Sequence, residues 1–353
     1  MLLLSACTTP SPPLDPVEAR APSKVDSAAP PKLPPGWLKG QLHLHSDASG
    51  DSETPAADVV RWYRDHAYDF IVFTDHNRVT EAPSPSGMLV LPGVELTQNL
   101  ERCSPPPQAG HQCLLHVNAL VVDPTQVKQA ATLDVPHSDE RVEIFAHGLH
   151  LAESLGGLAQ LNHPNFHYAA NAQQLSALVD RGLTLFEVAN EAWDSNNEGD
   201  STHPSTEALW DSVLSGGRRL YGTATDDAHH YYDAAARDEA GEPVFTGDVG
   251  FVVVRAERTP HAIRDALRAG EFYASTGVFL EDVSFDGGVL EVRGTDSLSI
   301  AFIADGGERV QTVPGPHARY DTRGKGHSYI RAVVTDQDGR RAWVQPVFLT
   351  NPA

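Results

Sequence analysis

The segment Gln41–Asp51, with the sequence QLHLHSDASGD, decides how the rest of the chain is interpreted. Alternate side chains of a β-strand point to the same face, so His43 and His45 share one face while Leu42 and Leu44 face the core. Two imidazoles on one face are a pair of candidate metal ligands. A chance pair of surface histidines on an edge strand would give the same pattern. The segments downstream therefore have to distinguish the two interpretations.

Downstream of this segment, short apolar runs alternate with amphipathic segments, which is typical of an α/β domain. The run Asp69–Thr74 is continuous, as expected for a strand buried on both faces. After about residue 277 the pattern changes to alternating segments divided by Gly, Asp and Pro turns, which predicts a small all-β unit. We therefore expect an α/β domain over residues 37–277 and a small β-sandwich-like domain over residues 278–353.

The 353-residue chain is acidic, with a formal net charge of -21 and no run rich in Lys or Arg. This charge disfavours nucleic acid and anionic membrane surfaces as main partners, because both would repel it. An excess of carboxylates also suits a protein that binds divalent cations, although an acidic surface kept for solubility explains most of the charge. No stretch approaches the roughly 20 apolar residues that a membrane-spanning helix needs.

The amino terminus resembles a bacterial lipoprotein signal. Leu4-Ser5-Ala6-Cys7 is similar to the lipobox, in which the cysteine receives lipid after cleavage. Residues 1–7 are therefore expected to be a truncated signal whose true start lies upstream. Residues 8–36 are rich in Pro, Ser and Ala and predict a disordered tether. The resemblance implies a protein of the bacterial cell envelope, on the periplasmic side, that is anchored to the membrane only by lipid on Cys7.

Cys103 and Cys113 remain as a pair once Cys7 is assigned to lipid. A Pro-rich loop separates them, and in an oxidising compartment they could close a short disulfide. In the competing interpretation, Cys113 joins His111 and His116 in a metal site. The disulfide is favoured, because Cys103 would otherwise be an unpaired thiol.

Imidazoles and carboxylates recur at the carboxyl ends of the predicted strands. In a closed parallel barrel these ends surround one mouth, where barrel enzymes place their chemistry. Such groups are costly to bury alone, so a cluster of divalent cations is their expected partner. Imidazole and carboxylate together favour Zn, Mn or Fe. The candidate ligands at these strand ends are His43, His45, Asp75, His76, Glu95, His116, His163, Asp227 and His229.

Taken together, these motifs resemble the PHP (polymerase and histidinol phosphatase) superfamily of metallohydrolases. The resemblance covers about residues 36–277, and Phe272–Gly277 is similar to the closing motif of the carbaryl-hydrolase-like branch. It implies an α/β fold, a distorted (β/α)7 TIM-like barrel, that holds two or three divalent metal ions. The matching segments are His43-Leu44-His45, Thr74-Asp75-His76, Pro92–Glu95, His116, Asn162–Pro164 and Asp227–His229.

The resemblance also implies a ligand set for each metal ion. Asp227 is preferred to its neighbour Asp226, because it lies two residues before His229, as the family motif requires. A carboxylate such as Glu95 can bridge two cations. The three implied sets are His43, His45, Glu95 and Asp227 for the first metal, Glu95, His116 and His163 for the second, and Asp51, His76 and His229 for the third.

The expected function is a metal-dependent hydrolase of phosphodiesters or phosphomonoesters, in which a hydroxide that bridges two metals attacks phosphorus. Hydrolysis of a carbamate, amide or carboxyl ester on the same metal centre is the enzymatic alternative. The non-enzymatic alternative is an envelope binding protein. The partner is expected to be a small-molecule ester. The residues assigned to this chemistry are Glu95, His163, Asp227 and His229 in catalysis and Arg78, His167 and His230 in substrate binding.

Overall fold

The computed structural model describes residues 32–129 and 138–349 of the chain. The predicted signal, with its lipobox, and most of the predicted tether lie outside the described residues. Seventeen strands and seven α-helices, together with two short 3-10 helices, make up the described part. No helix in these two ranges is long and apolar enough to cross a membrane.

The elements follow one another as a mixture of strands and helices up to β10, after which strands dominate. The α-helices are α1 (Ala56–Asp65), α2 (Pro124–Gln129), α3 (Arg141–Ser154), α4 (Ala172–Val179), α5 (Thr206–Ser215), α6 (Ala234–Glu239) and α7 (Pro260–Ala269). The first ten strands are β1 (Trp37–Gln41), β2 (Phe70–Val72), β3 (Leu89–Leu91), β4 (Gly93–Leu100), β5 (Cys113–Leu120), β6 (Leu158–Leu161), β7 (Leu185–Asn190), β8 (Tyr221–Thr225), β9 (Phe251–Arg255) and β10 (Phe272–Ser275). The others are β11 (Leu280–Asp286), β12 (Val289–Gly294), β13 (Ser297–Ala304), β14 (Glu308–Pro314), β15 (His317–Asp321), β16 (Tyr329–Asp336) and β17 (Arg341–Phe348). The 3-10 helices are Phe166–Tyr168 and Asp305–Gly307.

The strands form three sheets. The largest has nine strands in the order β14-β13-β16-β17-β10-β9-β1-β2-β3, the second has five in the order β4-β5-β6-β7-β8, and the third contains β11, β12 and β15. In the largest sheet β1, β2 and β3 are parallel, whereas β9 pairs with β1 in the antiparallel direction. In the five-stranded sheet β4, β5 and β6 are antiparallel, and β6, β7 and β8 are parallel. Both large sheets are therefore mixed.

The predicted (β/α)7 TIM-like barrel is wrong, because the described strands form separate sheets and do not close into a barrel. In such a barrel each parallel strand is followed by a helix that returns the chain to the start of the next strand. Here β3 leads through Pro92 directly into β4, and β5 then returns antiparallel to β4, with Leu100 opposite Cys113. Apolar runs show where strands occur but not their direction. The antiparallel pairs could therefore not be predicted from the pattern.

The strands that follow residue 277 do not stand apart from the earlier ones. Strand β17 pairs with β10, with Val344 opposite Tyr273, so that β13, β14 and β16 extend the sheet that contains β1. The same hydrophobic cluster includes Leu44 beside β1 and Phe302 in β13. The nine-stranded sheet thus spans the position at which the sequence predicts a domain boundary.

A disulfide joins Cys103 and Cys113, whose Cα atoms are 5.9 Å apart. The prediction of this bond is confirmed, and Cys113 is therefore not free to act as a metal ligand. Both cysteines are buried, at the loop end of the hairpin made by β4 and β5, where Leu100 lies opposite Cys113. Arg141 caps this end, because its Nε lies 3.3 Å from Cys103 Sγ and its Nη1 donates to the backbone oxygen of Ala169.

Isolated bridges connect the nine-stranded sheet to the five-stranded sheet. Leu44, just after β1, pairs with Ala228, just after β8, and His76, after β2, pairs with Glu95 in β4. The backbone nitrogen of Asp227 donates to the carbonyl of His43. These contacts bring together the polar segments that follow β1, β2 and β8.

Candidate metal centre

Six imidazoles and three carboxylates meet where the two large sheets touch. They come from the segments after β1, β2, β6 and β8 and from strands β4 and β5. Their side-chain nitrogen and oxygen atoms form three groups, and within each group all the atoms lie within 4.8 Å of one another. The structure therefore brings nine of the ten predicted metal ligands together. The groups are His43, His45 and Asp227; Glu95, His116 and His163; and His45, Asp51, His76 and His229.

Glu95 lies at the centre of this cluster, with its side chain only 1% exposed. Its Oε2 is 2.6 Å from His76 Nδ1, while its Oε1 is 3.1 Å from His116 Nδ1 and 3.4 Å from His43 Nε2. The two carboxylate oxygens thus face different imidazoles. Two further nitrogens, at 3.8 and 3.6 Å, belong to His45 and His163.

The charge of Glu95 is held by these imidazoles. Burial by itself would raise the pKa of the carboxyl group, but His76, His116 and His43 keep that pKa well below its usual value. Within the described part of the chain, the ion-pair partners of Glu95 are histidines, and no Lys or Arg pairs with it. An ionised carboxylate is therefore buried without a permanent cation beside it.

The surroundings shift the pKa values of the imidazoles in different directions. Burial and the neighbouring His229 lower the pKa of His45 to about 3, so this ring is neutral. At His43, burial acts against the proton, but Asp227, Glu187 and Glu95 raise the pKa well above its ordinary value. A positive charge beside His43 Nε2 is therefore favoured, and either a proton or a metal ion would supply it.

Three buried atoms that face the cluster lie close to an ion-pair partner but make no hydrogen bond of normal geometry: His43 Nε2, Glu95 Oε2 and His116 Nδ1. A buried polar atom without a partner costs about 1–3 kcal/mol. Divalent cations would provide the missing partners for all three, and the combination of imidazole nitrogen with carboxylate oxygen suits Zn, Mn or Fe. The residues of the cluster therefore fit a metal centre.

Glu187, in β7, accepts hydrogen bonds that orient two of the candidate ligands. Its Oε1 accepts a hydrogen bond from His43 Nδ1 at 2.7 Å, which leaves Nε2 of that ring facing Glu95 and Asp227. Its Oε2 accepts one from the backbone nitrogen of His163 at 2.6 Å. Such outer carboxylates fix the orientation and tautomer of metal-binding histidines. A carboxylate between the apolar neighbours Phe186 and Val188 was the available sequence signal.

Neutral side chains support the other ligands. Asn162 Nδ2 donates to Glu95 Oε1 at 2.9 Å, and Asn190 Nδ2 donates to Asp227 Oδ2 at 3.2 Å. The second ring nitrogen of His116 lies 2.8 Å from Asn99 Oδ1. Asn99 and Asn190 belong to strands β4 and β7, and no pattern in the sequence distinguishes them from other polar residues.

The adjacent carboxylates Asp226 and Asp227 have opposite surroundings. Burial raises the pKa of Asp226 to about 7, and its oxygens accept hydrogen bonds from Tyr63 and from the backbone nitrogen of Gly250. Asp227 Oδ1 instead lies 3.0 Å from His45 Nε2. The backbone of Asp227 has a φ of 52°, an uncommon value outside glycine that occurs preferentially at functional sites. Asp227, and not Asp226, is the residue that reaches the cluster.

Asp75 is the predicted ligand that the structure does not bring to the cluster. Its carboxylate accepts hydrogen bonds from the backbone nitrogen and the hydroxyl of Ser46, at 2.6 and 2.8 Å, and from the hydroxyl of Thr80. Its carbonyl oxygen accepts from the backbone nitrogen of Glu95 at 3.2 Å. Asp75 therefore fixes the loops around the site and contributes no atom to the three groups.

A cavity of about 340 Å³ opens over the cluster. Of the three predicted substrate-binding residues, His230 lines it, whereas Arg78 is exposed and His167 accepts a hydrogen bond from the backbone of Gln112. Among the described residues that line the cavity there is no Lys or Arg. Apart from the candidate ligands, the lining consists of Asn99, Leu114, Phe166, Ala192, Asp194, Ser195, His230 and Phe245.

Comparison of the chain with the sequence models of protein families finds no match, and neither does comparison with curated proteins. The class of protein has to be inferred from the site itself.

Proposed function

We propose that this protein is a metal-dependent hydrolase of phosphate esters, built around Glu95. The observation that carries the proposal is the meeting of six imidazoles and three carboxylates in one buried cluster, with unpaired polar atoms facing its interior. Two or three divalent ions of Zn, Mn or Fe would be held by the three groups of ligands. When bound, such ions supply Lewis acidity, which polarises a phosphoryl oxygen and lowers the pKa of water.

The residues of this chain would hold and orient the reactants. Glu95, His163, Asp227 and His229, which the sequence assigns to catalysis, all line the cavity, so an ester bound there would meet them. Glu187 and the asparagines behind the cluster keep the ligand side chains in one arrangement. Preorganised ligands of this kind need little rearrangement during a reaction.

The cavity supports a catalytic role over a purely structural one. Structural metal sites are closed by protein ligands, whereas catalytic sites keep a position that is accessible to substrate. Here Glu95, His116 and His163 are buried and yet border a cavity that opens over them. Carbamate, amide or carboxyl-ester hydrolysis on the same centre is the alternative that the experiment below has to separate.

From the sequence motifs we also propose that the protein belongs to the PHP superfamily. We further propose that it carries a lipid anchor at Cys7 on the periplasmic side of a bacterial envelope. The disulfide between Cys103 and Cys113 supports the compartment, since disulfides persist in oxidising environments. Replacement of Cys7 by serine should release the full-length precursor into the soluble periplasmic fraction. Unchanged membrane association of that variant would contradict the anchor.

The test combines metal analysis with substrate hydrolysis. Protein purified without chelators is analysed for metal content and then assayed with a generic phosphomonoester, a phosphodiester and a carbamate. We expect two or three metal ions per chain and turnover of a phosphate ester that chelation abolishes and metal restores. Turnover of the carbamate alone would establish the alternative chemistry. Metal-free protein without turnover, even after addition of Zn, Mn or Fe, would refute the proposal.

A further inference from the structure

Aromatic side chains border the cavity over the candidate metal centre. Phe166 packs against His163, with 5.1 Å between ring centroids, and Phe245 packs against His229, with 5.5 Å. Both phenylalanines line the cavity. Each aromatic ring thus lies directly beside a candidate ligand rather than in the distant core.

Trp193 extends this aromatic surface outward. Its side chain is 62% exposed, although tryptophan is a large apolar residue. Its ring centroid lies 6.3 Å from that of Phe245, and its neighbours Ala192 and Asp194 line the cavity. Exposed aromatic residues that border a cavity often mark a binding site.

The turn that contains Trp193 is held in place. Ser195 Oγ donates to Asn190 Oδ1 at 2.6 Å, and the backbone nitrogen of Ser195 donates to the carbonyl of Ala192 at 3.1 Å. Phe245 is fixed as well, because its carbonyl accepts hydrogen bonds from the backbone nitrogens of His229 and His230. The exposed indole of Trp193 therefore lies beside the cavity on a turn that hydrogen bonds hold in place.

The polar residues of the cavity limit the charge that a substrate can bear outside its reacting ester group. Among the described lining residues beyond the candidate ligands, the charged side chain is the acidic Asp194, and no Lys or Arg is present. The acidic Asp194 supplies no positive charge for a second anionic group. An apolar, planar group would instead find aromatic partners.

From these contacts we infer that the part of the substrate outside the reacting ester is a planar, apolar group that stacks on Trp193 and Phe245. This inference rests on the proposed function, because it places the reacting group at the metal centre. It names aryl esters as the substrate class. Trp193 is assigned as a specificity-determining residue rather than a catalytic one.

Binding can test the inference separately from turnover. The affinities of diphenyl phosphate and diethyl phosphate are measured by calorimetry on protein purified without chelator. We expect diphenyl phosphate to bind about 10-fold more tightly, as aromatic stacking together with burial of apolar area predicts. Trp193→Ala should remove most of this preference without changing the affinity for diethyl phosphate, and Trp193→Phe should restore most of it.

Tyr232 provides the matched control, since it is 60% exposed but, unlike Trp193, has no ring contact with Phe245 among the described residues. Tyr232→Ala should keep the aryl preference. Equal affinity of the wild-type protein for the two diesters would overturn the inference, as would a preference that survives in Trp193→Ala. Hydrolysis of bis(para-nitrophenyl) phosphate is measured in parallel. An aryl preference without turnover would refute phosphodiester hydrolysis and leave aryl recognition standing, whereas turnover without preference would refute aryl recognition alone.

Discussion

Two buried ionic clusters in this protein are balanced in different ways. Between α5 and β16, the guanidinium of Arg331 is 1% exposed and lies between two carboxylates. Its Nη2 is 2.6 Å from Asp211 Oδ2 and 3.1 Å from Glu207 Oε2, and Tyr329 adds a hydrogen bond to Asp211. The chain itself supplies the cation that these carboxylates need.

Around Glu95, by contrast, the described residues supply no lysine or arginine to balance the buried carboxylate. In the described residues the ion-pair partners of Glu95 are imidazoles, which occupy the places that a lysine or arginine would take. Uncompensated burial of charge is unfavourable unless a partner arrives. The comparison teaches that the cluster at Arg331 stabilises the fold, whereas the cluster at Glu95 is arranged for a cation from solution.

The largest effect that separates the two clusters is expected at Glu95. Glu95→Gln keeps the volume but removes the negative charge between the imidazoles. We expect metal content to fall at the first two groups and activity to fall about 1,000-fold or more, because several kcal/mol of metal-dependent stabilisation would be lost. Metal analysis and steady-state rates check this. The exposed Glu143, which pairs with Arg181, provides a control in Glu143→Gln. Full metal content and ordinary rates in Glu95→Gln would show that Glu95 holds no metal.

A substitution in the Arg331 cluster should lower the stability of the fold without changing the metal content. Asp211→Asn leaves the buried Arg331 without its closest carboxylate, and removal of one partner from a buried pair costs about 3 kcal/mol or more. We expect the free energy of unfolding in urea to fall by that amount, while the metal content of the folded protein stays the same. Asp180→Asn, at an exposed pair with Arg218, is the control and should have little effect. Loss of metal in Asp211→Asn would mean that the two clusters are coupled.

A smaller effect on metal binding is expected at Glu187, whose carboxylate contacts His43 Nδ1. Glu187→Gln removes the charged acceptor for His43 Nδ1, and changes to such outer partners weaken metal affinity about 10–100-fold. Titration with a competing chelator measures the affinity directly. The number of metal ions bound at saturation should not change. A variant that binds as tightly as the wild-type protein would remove Glu187 from the description of the site.

The smallest effect should come from Asp75, which the sequence assigned to the metal site. Asp75→Asn alters the hydrogen bonds to Ser46 and Thr80, at a cost of about 1 kcal/mol in the free energy of unfolding. We expect metal content to remain at the wild-type value. A variant that lacks a metal ion would restore Asp75 as a ligand and contradict the structural assignment.

Asp75 also shows where prediction from the sequence ends. The ligand types and their places after apolar runs were sufficient to find the residues that converge, because hydrophobic patterns locate the ends of strands. Asp75 and His76 follow the same strand, but only His76 turns toward Glu95. Side-chain direction within a loop depends on partners such as Ser46, and residue spacing does not contain that information.

The fold and the cavity walls were predicted less well than the ligands. The barrel was wrong because strand direction depends on pairings such as β4 with β5, which an apolar run cannot reveal. Phe166 and Phe245 lie in a short 3-10 helix and a loop, without a periodic pattern that would indicate their role. Burial of Glu187 was signalled by its apolar neighbours, but its contact with His43 joins residues from distant parts of the chain.

The pairing of β1 with β9 has a consequence for synthesis of the protein. Trp37 lies opposite Arg255, so about 200 further residues must be synthesised before β9 can cover this edge of β1. At about 5–20 residues per second, this takes roughly 10–40 s. An open strand edge attracts other strands during that time. Asp227 and His229 also emerge late, only shortly before β9. Chains that end before residue 227 therefore have His43 and His45 without Asp227 and expose a strand edge to aggregation.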